Sequence, residues 1–500
     1  MKIYIALCFL LSPLLSYGQA LNCLTIQSQP LNPACQAFVC GQVQDVNGHA
    51  ISGAQVGWQT LNKRVHTDAN GVFCLKKQNK TAVMAAWAEG YLIGGQTQNT
   101  HSNIIVLKAL PTSKLTPKTY TWFDSVPLEN KHYPQITPSS HEPCSACHPR
   151  LSKEWQQSAH GNSHNNETFN TLLAGIPVSR QEKCQQCHNP QVTLTSQPTK
   201  PQPIGCDYCH KIKSVDNGQA EIFGHARINH HIPKDGALAF AQLDDPVGRN
   251  DYYAPLYGKS EYCGGCHEAS FWRTPIYSTF SEWQHSPQGK EQVQCQDCHM
   301  QTQATLSADP KHGGKQRDPQ TLSSHDFSIS KNRISKAIDF AVSQKILNQQ
   351  LTLTITLNNL GAGHDIPTGN PMRHLLLRVM VLDEHGNKIK KRLGSQLPRW
   401  SQYAGETGAV MAKVLSPKQS YGNQQNQVYP APFWLPSTIE SDTRLKPNVA
   451  QHHRFTFASS RQYHVQVQLW NVNHFANWQN LPTPNNWLLH EWRDQIKVAP

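Results

Sequence analysis

One short pattern, Cys-x-x-Cys-His, occurs five times and constrains this chain more than any other feature of its sequence. The copies are CSACH at 144–148, CQQCH at 184–188, CDYCH at 206–210, CGGCH at 263–267 and CQDCH at 295–299. Paired Cys-x-x-Cys units also bind zinc, but zinc does not explain a histidine directly after every second cysteine. Covalent c-type haem explains it, because the two thiols add to the haem vinyl groups and the adjacent imidazole becomes an axial ligand of the iron.

The motifs therefore predict five haem c groups. The predicted attachment points are Cys144, Cys147, Cys184, Cys187, Cys206, Cys209, Cys263, Cys266, Cys295 and Cys298. The predicted proximal iron ligands are His148, His188, His210, His267 and His299. Residues 113–330 are too polar for an ordinary apolar core, so we expect the haem faces to supply it. Short helices should start at each motif, with irregular connections elsewhere.

The N-terminus, MKIYIALCFLLSPLLSYGQA, indicates export. A positive start at Lys2, an apolar run over 3–15 and small residues at Gly18 and Ala20 are typical of a signal peptide, here 1–20, cleaved after about Ala20. The run is shorter than the roughly 20 residues that span a bilayer. No later segment is long and apolar enough, so we expect a periplasmic or otherwise exported protein without an integral membrane segment.

The formal net charge of +12 would by itself suggest an anionic partner such as nucleic acid. Removing Lys2 with the signal peptide leaves +11. Each haem, counted with its two propionates, carries about −1 when ferric and about −2 when ferrous, so five haems lower the net charge to about +6 oxidised and about +1 reduced. Nucleic acid is therefore not expected as a partner.

Fifteen cysteines are present, of which ten lie in the motifs and Cys8 lies in the expected signal peptide. The remaining four, Cys23, Cys35, Cys40 and Cys74, predict two disulfides in an oxidising compartment. Three pairings are open, and we favour Cys23–Cys35 with Cys40–Cys74.

Short β-branched and aromatic runs, cut by Asn-Gly pairs at 47–48 and 70–71, indicate a small N-terminal β domain over 21–112. Its segments GQVQDVNGHAISGAQV, HTDANGVFCL and AEGY resemble a carboxypeptidase regulatory-like domain, which implies a transthyretin-like β-sandwich with an accessory or docking role. Residues 331–500 read as a second, antiparallel β-sandwich, since LTLTITL at 351–357 alternates apolar and polar residues. The haem segment, 113–330, lies between the two.

His160 follows the first motif by twelve residues. A continuous helix from His148 would carry His160 about 18 Å along its axis, too far to ligate the haem of its own motif. We therefore expect His160 to be the distal ligand of a neighbouring haem, with a surface histidine at a helix end as the alternative.

The segments CSACHPRLSKEWQQSAH, CQQCHNP, IGCDYCHKI, SEYCGGCHE and TFSEWQHSPQGKEQVQCQDCHM resemble the multihaem cytochrome c-554-like family. That resemblance implies low-potential bis-histidine haems and a Trp-x-x-Ser-x-His signature. The Trp-Gln-x-Ser element occurs at 155–158 and again at 283–286. In the second copy Gln288 stands at the position of His160, and His285 is out of register.

Further distal candidates are numerous, so the sequence does not assign them to particular haems. The resemblance favours His325, and the loop GAGHDIPTGNP offers His364. The remaining candidates are His141, His164, His225, His230, His231 and His312.

Electron transfer between exported redox partners, such as cytochromes or quinol-linked donors, is the favoured function. The alternative is an oxidoreductase acting on a small nitrogen or sulfur compound at one haem with an open distal site. Pentahaem nitrite reductases attach one haem through a motif ending in lysine, whereas all five motifs here end in histidine. A third hypothesis is that the protein is a binding scaffold whose two β domains dock a membrane or surface partner. The oligomeric state is left open.

Overall fold

The computed structural model describes residues 37–99, 103–123, 125–126, 143–194, 203–218, 227–234, 238–247, 251–418, 429–476 and 486–498. The expected signal peptide, Cys23, Cys35, His141 and His225 lie outside these ranges. The chain divides into two compact units. Unit 1 contains the described residues of 1–116, 231–257 and 302–323, and unit 2 contains those of 117–230, 258–301 and 324–500. The domain boundaries expected near 112 and 330 stay predictions.

The secondary structure consists of short helices and many strands. The strands are β1 Phe38–Asp45, β2 Gln55–Trp58, β3 Arg64–His66, β4 Val72–Lys76, β5 Val83–Trp87, β6 Gly94–Thr97, β7 Ile104–Leu107, β8 Ile212–Val215, β9 Ile228–His230, β10 Ala239–Ala241, β11 Asp251–Tyr253, β12 Ala269–Phe271, β13 Thr274–Tyr277, β14 Ile338–Leu347, β15 Gln350–Asn359, β16 His374–Leu382, β17 Lys391–Leu393, β18 Gly408–Pro417, β19 Ser437–Asp442, β20 Gln451–Phe457, β21 Gln462–Val472 and β22 Trp487–Lys497. The α-helices are α1 Cys144–Cys147, α2 Pro149–Gln157, α3 Glu167–Ala174, α4 Val178–His188, α5 Pro190–Leu194, α6 Cys206–Cys209, α7 Ser260–His267, α8 Thr279–His285, α9 Pro287–Lys290, α10 Cys295–His299 and α11 Lys331–Ala337.

Unit 1 is built on two β-sheets, ordered β4-β1-β7 and β3-β2-β5-β6. Both contribute to one apolar core, in which Val43 of β1, Val56 of β2 and Ile105 of β7 are fully buried. The parallel pair β10-β11 also belongs to this unit, so parts of the expected haem segment group with the N-terminal strands. The transthyretin-like assignment stays a prediction.

The strands β1 and β4 pair antiparallel, and Cys40 faces Cys74 across them. These two cysteines form a disulfide, which is one of the two pairs that the sequence favours. Both Asn-Gly pairs lie in tight turns, where Gly48 and Gly71 have φ of 83° and 72°. Positive φ suits glycine because it lacks a Cβ atom.

The part of unit 2 that carries the motifs is made of short helices. The two cysteines of every motif lie in a helix, but α4 and α7 begin at 178 and 260, so the prediction that each helix starts at its motif is wrong for these two. The predicted continuous helix from 148 to 160 is also shorter than expected. The observed helix begins at Pro149, since proline is favoured at the first position of a helix. It ends at Gln157, because the backbone of Ser158 is extended.

The C-terminal part of unit 2 consists of two antiparallel sheets on a common apolar core. Their strand orders are β14-β15-β20-β17 and β19-β18-β16-β21-β22. The predicted strand at 351–357 lies inside β15, where Leu353 and Ile355 are fully buried and pack with Leu375 of β16. Alternation of apolar and polar residues accounts for this burial, since successive side chains point to opposite faces of a strand. None of the helices in the described ranges is long and apolar enough to span a membrane.

Candidate haem-binding sites

Each Cys-x-x-Cys-His motif occupies about one helical turn. Residues three and four apart lie on the same face of a helix, so the two thiols and the imidazole of a motif project to the same side. In the first motif the His148 backbone N–H donates to the Cys144 carbonyl oxygen at 2.9 Å, and His210 bonds Cys206 in the same way at 2.9 Å. The turn thus provides the two sulfur atoms and the proximal nitrogen that a c-type haem requires.

The five motifs lie close together within unit 2. Thiols of different motifs come within hydrogen-bonding range in three pairs, Cys144–Cys206, Cys187–Cys266 and Cys263–Cys295. The third and fourth motifs are joined as well, because the Tyr262 hydroxyl donates to the Cys209 carbonyl at 3.1 Å. These contacts link all five motifs into one group, in which the fourth motif neighbours the second, third and fifth.

Three motif histidines face a second histidine from a distant part of the sequence. His210 lies opposite His325, with ring centroids 6.2 Å apart and ring planes at 23°. The rings of His299 and His364 are also 6.2 Å apart, at 20°. The third pair is His160–His267, at 6.1 Å and 62°.

This separation fits a metal ion held between two imidazoles. A metal–nitrogen bond to an imidazole is about 2 Å long, and the ring centroid lies about 1 Å beyond that nitrogen. Two imidazoles that bind one metal from opposite sides therefore have centroids about 6 Å apart. Ordinary aromatic pairs also occur at about 4.5–7 Å. Each of the three pairs, however, joins a predicted proximal ligand to a predicted distal candidate, so the residues present fit bis-histidine haem ligation.

Burial favours the neutral form of these imidazoles. It lowers the pKa of His160 to about 3, with His267 and His188 close by as further causes. Burial also lowers the pKa of His299 to about 4. A neutral imidazole presents the lone pair that binds a metal. His364 has its Nδ1 3.0 Å from its neighbour's carbonyl oxygen, which leaves Nε2 for a metal.

The remaining candidates have other surroundings. His164 is buried, and burial lowers its pKa. His230 is half-buried at the end of β9. His231 belongs to unit 1, where its Nε2 lies 2.7 Å from the Pro111 carbonyl oxygen. His312 is exposed in a short 3-10 helix.

The motif histidines His148 and His188 belong to none of the three pairs. Of the predicted candidates, His141 and His225 lie outside the described residues. Phe169 stacks on His188, with ring centroids 4.0 Å apart and planes at 9°. This contact covers a face of the imidazole, whereas a metal binds a ring nitrogen in the ring plane.

The repeated Trp-Gln-x-Ser element has the same structure in both copies. The Trp155 indole N–H donates to the Ile204 carbonyl oxygen at 2.8 Å, and that of Trp283 donates to Val293 at 2.7 Å. Each acceptor lies two residues before the first cysteine of a motif. The first and third motifs together thus form a unit that the fourth and fifth motifs repeat.

The two copies differ at the ligand position. His160 of the first copy faces His267, whereas Gln288 occupies the corresponding place in the second copy. The loop that carries His364 packs against Gln288, since a Cβ atom built at Gly363 would lie 3.0 Å from the Gln288 Cβ. A loop from the C-terminal β-sheets therefore covers the position where the repeat lacks a histidine.

The repeat extends one residue before the Trp-Gln-x-Ser element. A glutamate precedes the tryptophan in both copies, and each glutamate contacts a loop that carries a distal candidate. Glu154 Oε2 accepts a hydrogen bond from the His325 backbone N–H at 2.8 Å, and Glu282 Oε2 accepts one from that of Asp365 at 3.3 Å. The shared string Glu-Trp-Gln was the signal that could have identified these residues.

Comparisons with known proteins agree with the motif chemistry. A family model described as cytochrome c554 and c-prime matches residues 143–211, which contain the first three motifs. No curated protein sequence gives a significant match. The fold is similar to the crystal structure of a penta-heme cytochrome c552 from Thermochromatium tepidum, with a TM-score of 0.51 and 18% sequence identity over 71% of this chain and 97% of that chain. The motifs, the family match and the shared fold together support a multihaem c-type cytochrome.

Proposed function

We propose that this chain is an exported electron-transfer protein that relays electrons between redox partners through five covalently bound haem c groups. The observation that carries the proposal is the set of three histidine pairs described above. Each pair joins a motif histidine to one from a distant segment, at the separation expected for two axial ligands of one iron.

The pairs suggest which histidine completes each haem. His325 is proposed as the distal ligand for the third motif, His160 for the fourth and His364 for the fifth. Two imidazole ligands favour a lower reduction potential than a histidine with a methionine. The protein is therefore proposed to work at low potential.

The contacts among the motifs support transfer within the protein. Bound haem supplies reversible one-electron chemistry, and the chain holds its five attachment turns in one connected group. The fourth motif neighbours three others, so it is proposed as the central position of the relay. Cytochromes or quinol-linked proteins are the proposed partners at its ends.

Electron paramagnetic resonance of the oxidised holoprotein, combined with a potentiometric titration, tests this function. A relay predicts five low-spin ferric haems that titrate reversibly at negative potentials and do not bind carbon monoxide when reduced. A high-spin ferric signal together with carbon monoxide binding in the unmodified protein would instead favour the alternative, an oxidoreductase with an open iron.

A further inference from the structure

Glu154 lies in α2, directly before the first repeated tryptophan, and its two carboxylate oxygens contact different partners. Oε2 accepts hydrogen bonds from the His325 backbone N–H at 2.8 Å and from the Ser324 hydroxyl at 3.1 Å. Oε1 pairs with the guanidinium of Arg150, one helical turn earlier. The carboxylate thus connects the helix to the backbone of the residue that faces His210.

Glu282 has the same position in the second copy, and its contacts follow the same plan. Oε2 accepts hydrogen bonds from the Thr368 hydroxyl at 2.6 Å and from the Asp365 backbone N–H at 3.3 Å. Oε1 accepts one from Arg444 Nη1 at 2.6 Å. Asp365 directly follows His364, so this carboxylate also holds the backbone of a loop that carries a distal candidate.

The two loops come from different structural contexts. His325 lies in an irregular segment after the last motif, whereas His364 lies between strands β15 and β16 of the C-terminal sheets. In both copies one carboxylate oxygen pairs with an arginine and the other accepts hydrogen bonds from the loop. The contact therefore depends on the position of the glutamate in the repeat and not on the origin of the loop.

We propose that Glu154 and Glu282 are positioning residues that hold the distal histidines of the third and fifth haems, respectively. The inference rests on the proposed function, which supplies the ligand assignments. Hydrogen bonds to a carboxylate are charge-assisted, and the shortest from each loop are 2.8 Å from the His325 N–H to Glu154 and 2.6 Å from the Thr368 hydroxyl to Glu282. These hydrogen bonds restrain the loop that carries the histidine. An iron-binding histidine needs such supporting contacts, because its side chain must stay within a fraction of an ångström of the geometry that binds the metal.

The test compares Glu154→Gln and Glu282→Gln with two reference variants, His325→Ala and His364→Ala. An amide offers one acceptor oxygen in place of two, so it cannot serve both the arginine and the loop. Glu154→Gln should alter the same low-spin signal that His325→Ala removes, and Glu282→Gln the one that His364→Ala removes. Each should also add a carbon monoxide-binding fraction on reduction that the parent protein lacks, with all five haems still attached.

The effect should be larger at Glu282. Its side chain is 8% exposed and that of Arg444 is 5% exposed, whereas the side chain of Glu154 is 22% exposed. Water can replace part of a lost contact at the more exposed site. Ser324→Ala and Thr368→Val each remove a single hydroxyl donor to these carboxylates. They should give smaller shifts of the same two signals, and they serve as the test if the glutamate variants do not fold.

Glu406→Gln is the matched control, because Glu406 pairs with Arg378 at 2.7 Å in the C-terminal sheets and contacts neither ligand loop. It should change the unfolding curve and leave every haem signal in place. If the glutamate variants at 154 and 282 behave like this control, the positioning role is overturned. If His325→Ala and His364→Ala fail to open a haem, the ligand assignments of the proposed function are wrong instead.

Discussion

The imidazoles of His210 and His325 face each other with ring centroids 6.2 Å apart. His210 belongs to an attachment motif, whereas His325 lies beyond the last motif of the chain. The fold, and not the local sequence, therefore brings these rings to the separation that two ligands of one iron require. The same relationship holds between His299 and His364.

The intact holoprotein should have the mass of the chain from Leu21 plus five haems. Replacing Cys206 and Cys209 together with alanine should remove one haem and reduce the helical circular dichroism signal, because the haem faces fill space in this polar segment. Mass spectrometry after expression in a host with a competent haem-attachment system measures the stoichiometry. Four haems or fewer in the unaltered protein would contradict the assignment of all five motifs.

His160→Ala should convert one haem to a high-spin form while all five haems stay attached, since attachment uses only the motif cysteines. The opened iron should bind carbon monoxide when reduced, and its potential should rise with the loss of the imidazole donor. His285→Ala is the control, because His285 is exposed at the end of α8. An entirely low-spin spectrum for His160→Ala would show that another residue is the ligand.

Lys413 predicts a pH dependence of stability. Its amine is buried, donating to the Ser278 hydroxyl at 3.1 Å and to the Ile276 carbonyl at 3.2 Å, and burial lowers its pKa from 10.5 to about 8. Between these values the unfolded state binds more protons, so the contribution of Lys413 to the free energy of unfolding rises with pH. Below pH 8 the Lys413 amine is protonated in both the folded and the unfolded state. Its contribution to the free energy of unfolding is therefore constant there and at its least favourable.

Lys413→Met removes this titration. The free energy of unfolding of the unaltered protein, relative to the variant, should therefore increase by about 2 kcal/mol between pH 7 and 9.5. Urea unfolding of both proteins at the two pH values measures the change. A constant difference between the two proteins would mean that the amine keeps its ordinary pKa in the fold.

The Cys40–Cys74 disulfide should stabilise the N-terminal strands. It closes a separation of 34 residues, and loops of this size correspond to about 2–4 kcal/mol of stability. Replacing both cysteines with serine should lower the unfolding midpoint of unit 1 and leave the haem spectra unchanged, because all five motifs lie in unit 2. Limited proteolysis combined with visible spectroscopy separates the two effects. A lost haem signal would contradict this expectation.

The five motifs could be recognised in the sequence because the chemistry proposed for them is local. Two thiols and an imidazole must lie on one helical turn, so their spacing in the sequence is fixed. The strand β15 was equally predictable, since its burial follows directly from the alternation of leucine or isoleucine with threonine. In both cases the determining contacts lie within a few residues of one another.

The distal ligands could not be assigned to particular haems, because tertiary packing decides which loop meets which motif. His325 and His364 were two candidates among many, and the sequence around them does not indicate which motif histidine each of them faces. The grouping of 231–257 and 302–323 with the N-terminal strands was missed for the same reason. These segments have little periodicity, and their positions depend on contacts with residues far away in the chain.

Under the proposed ligand assignments, the late position of His325 and His364 imposes an order on the maturation of the protein. A polypeptide that emerges N-terminus first presents the thiols at 206 and 209 for haem attachment well before His325 is available. The motif at 295–299 must likewise wait for His364, which follows β15. A nonsense codon shortly after residue 300 would therefore yield a product that keeps all five motifs but lacks both of these proposed ligands. Under the proposed relay, such a fragment would be coloured normally but would bind oxygen and other small ligands at two irons that the two histidines close in the finished protein.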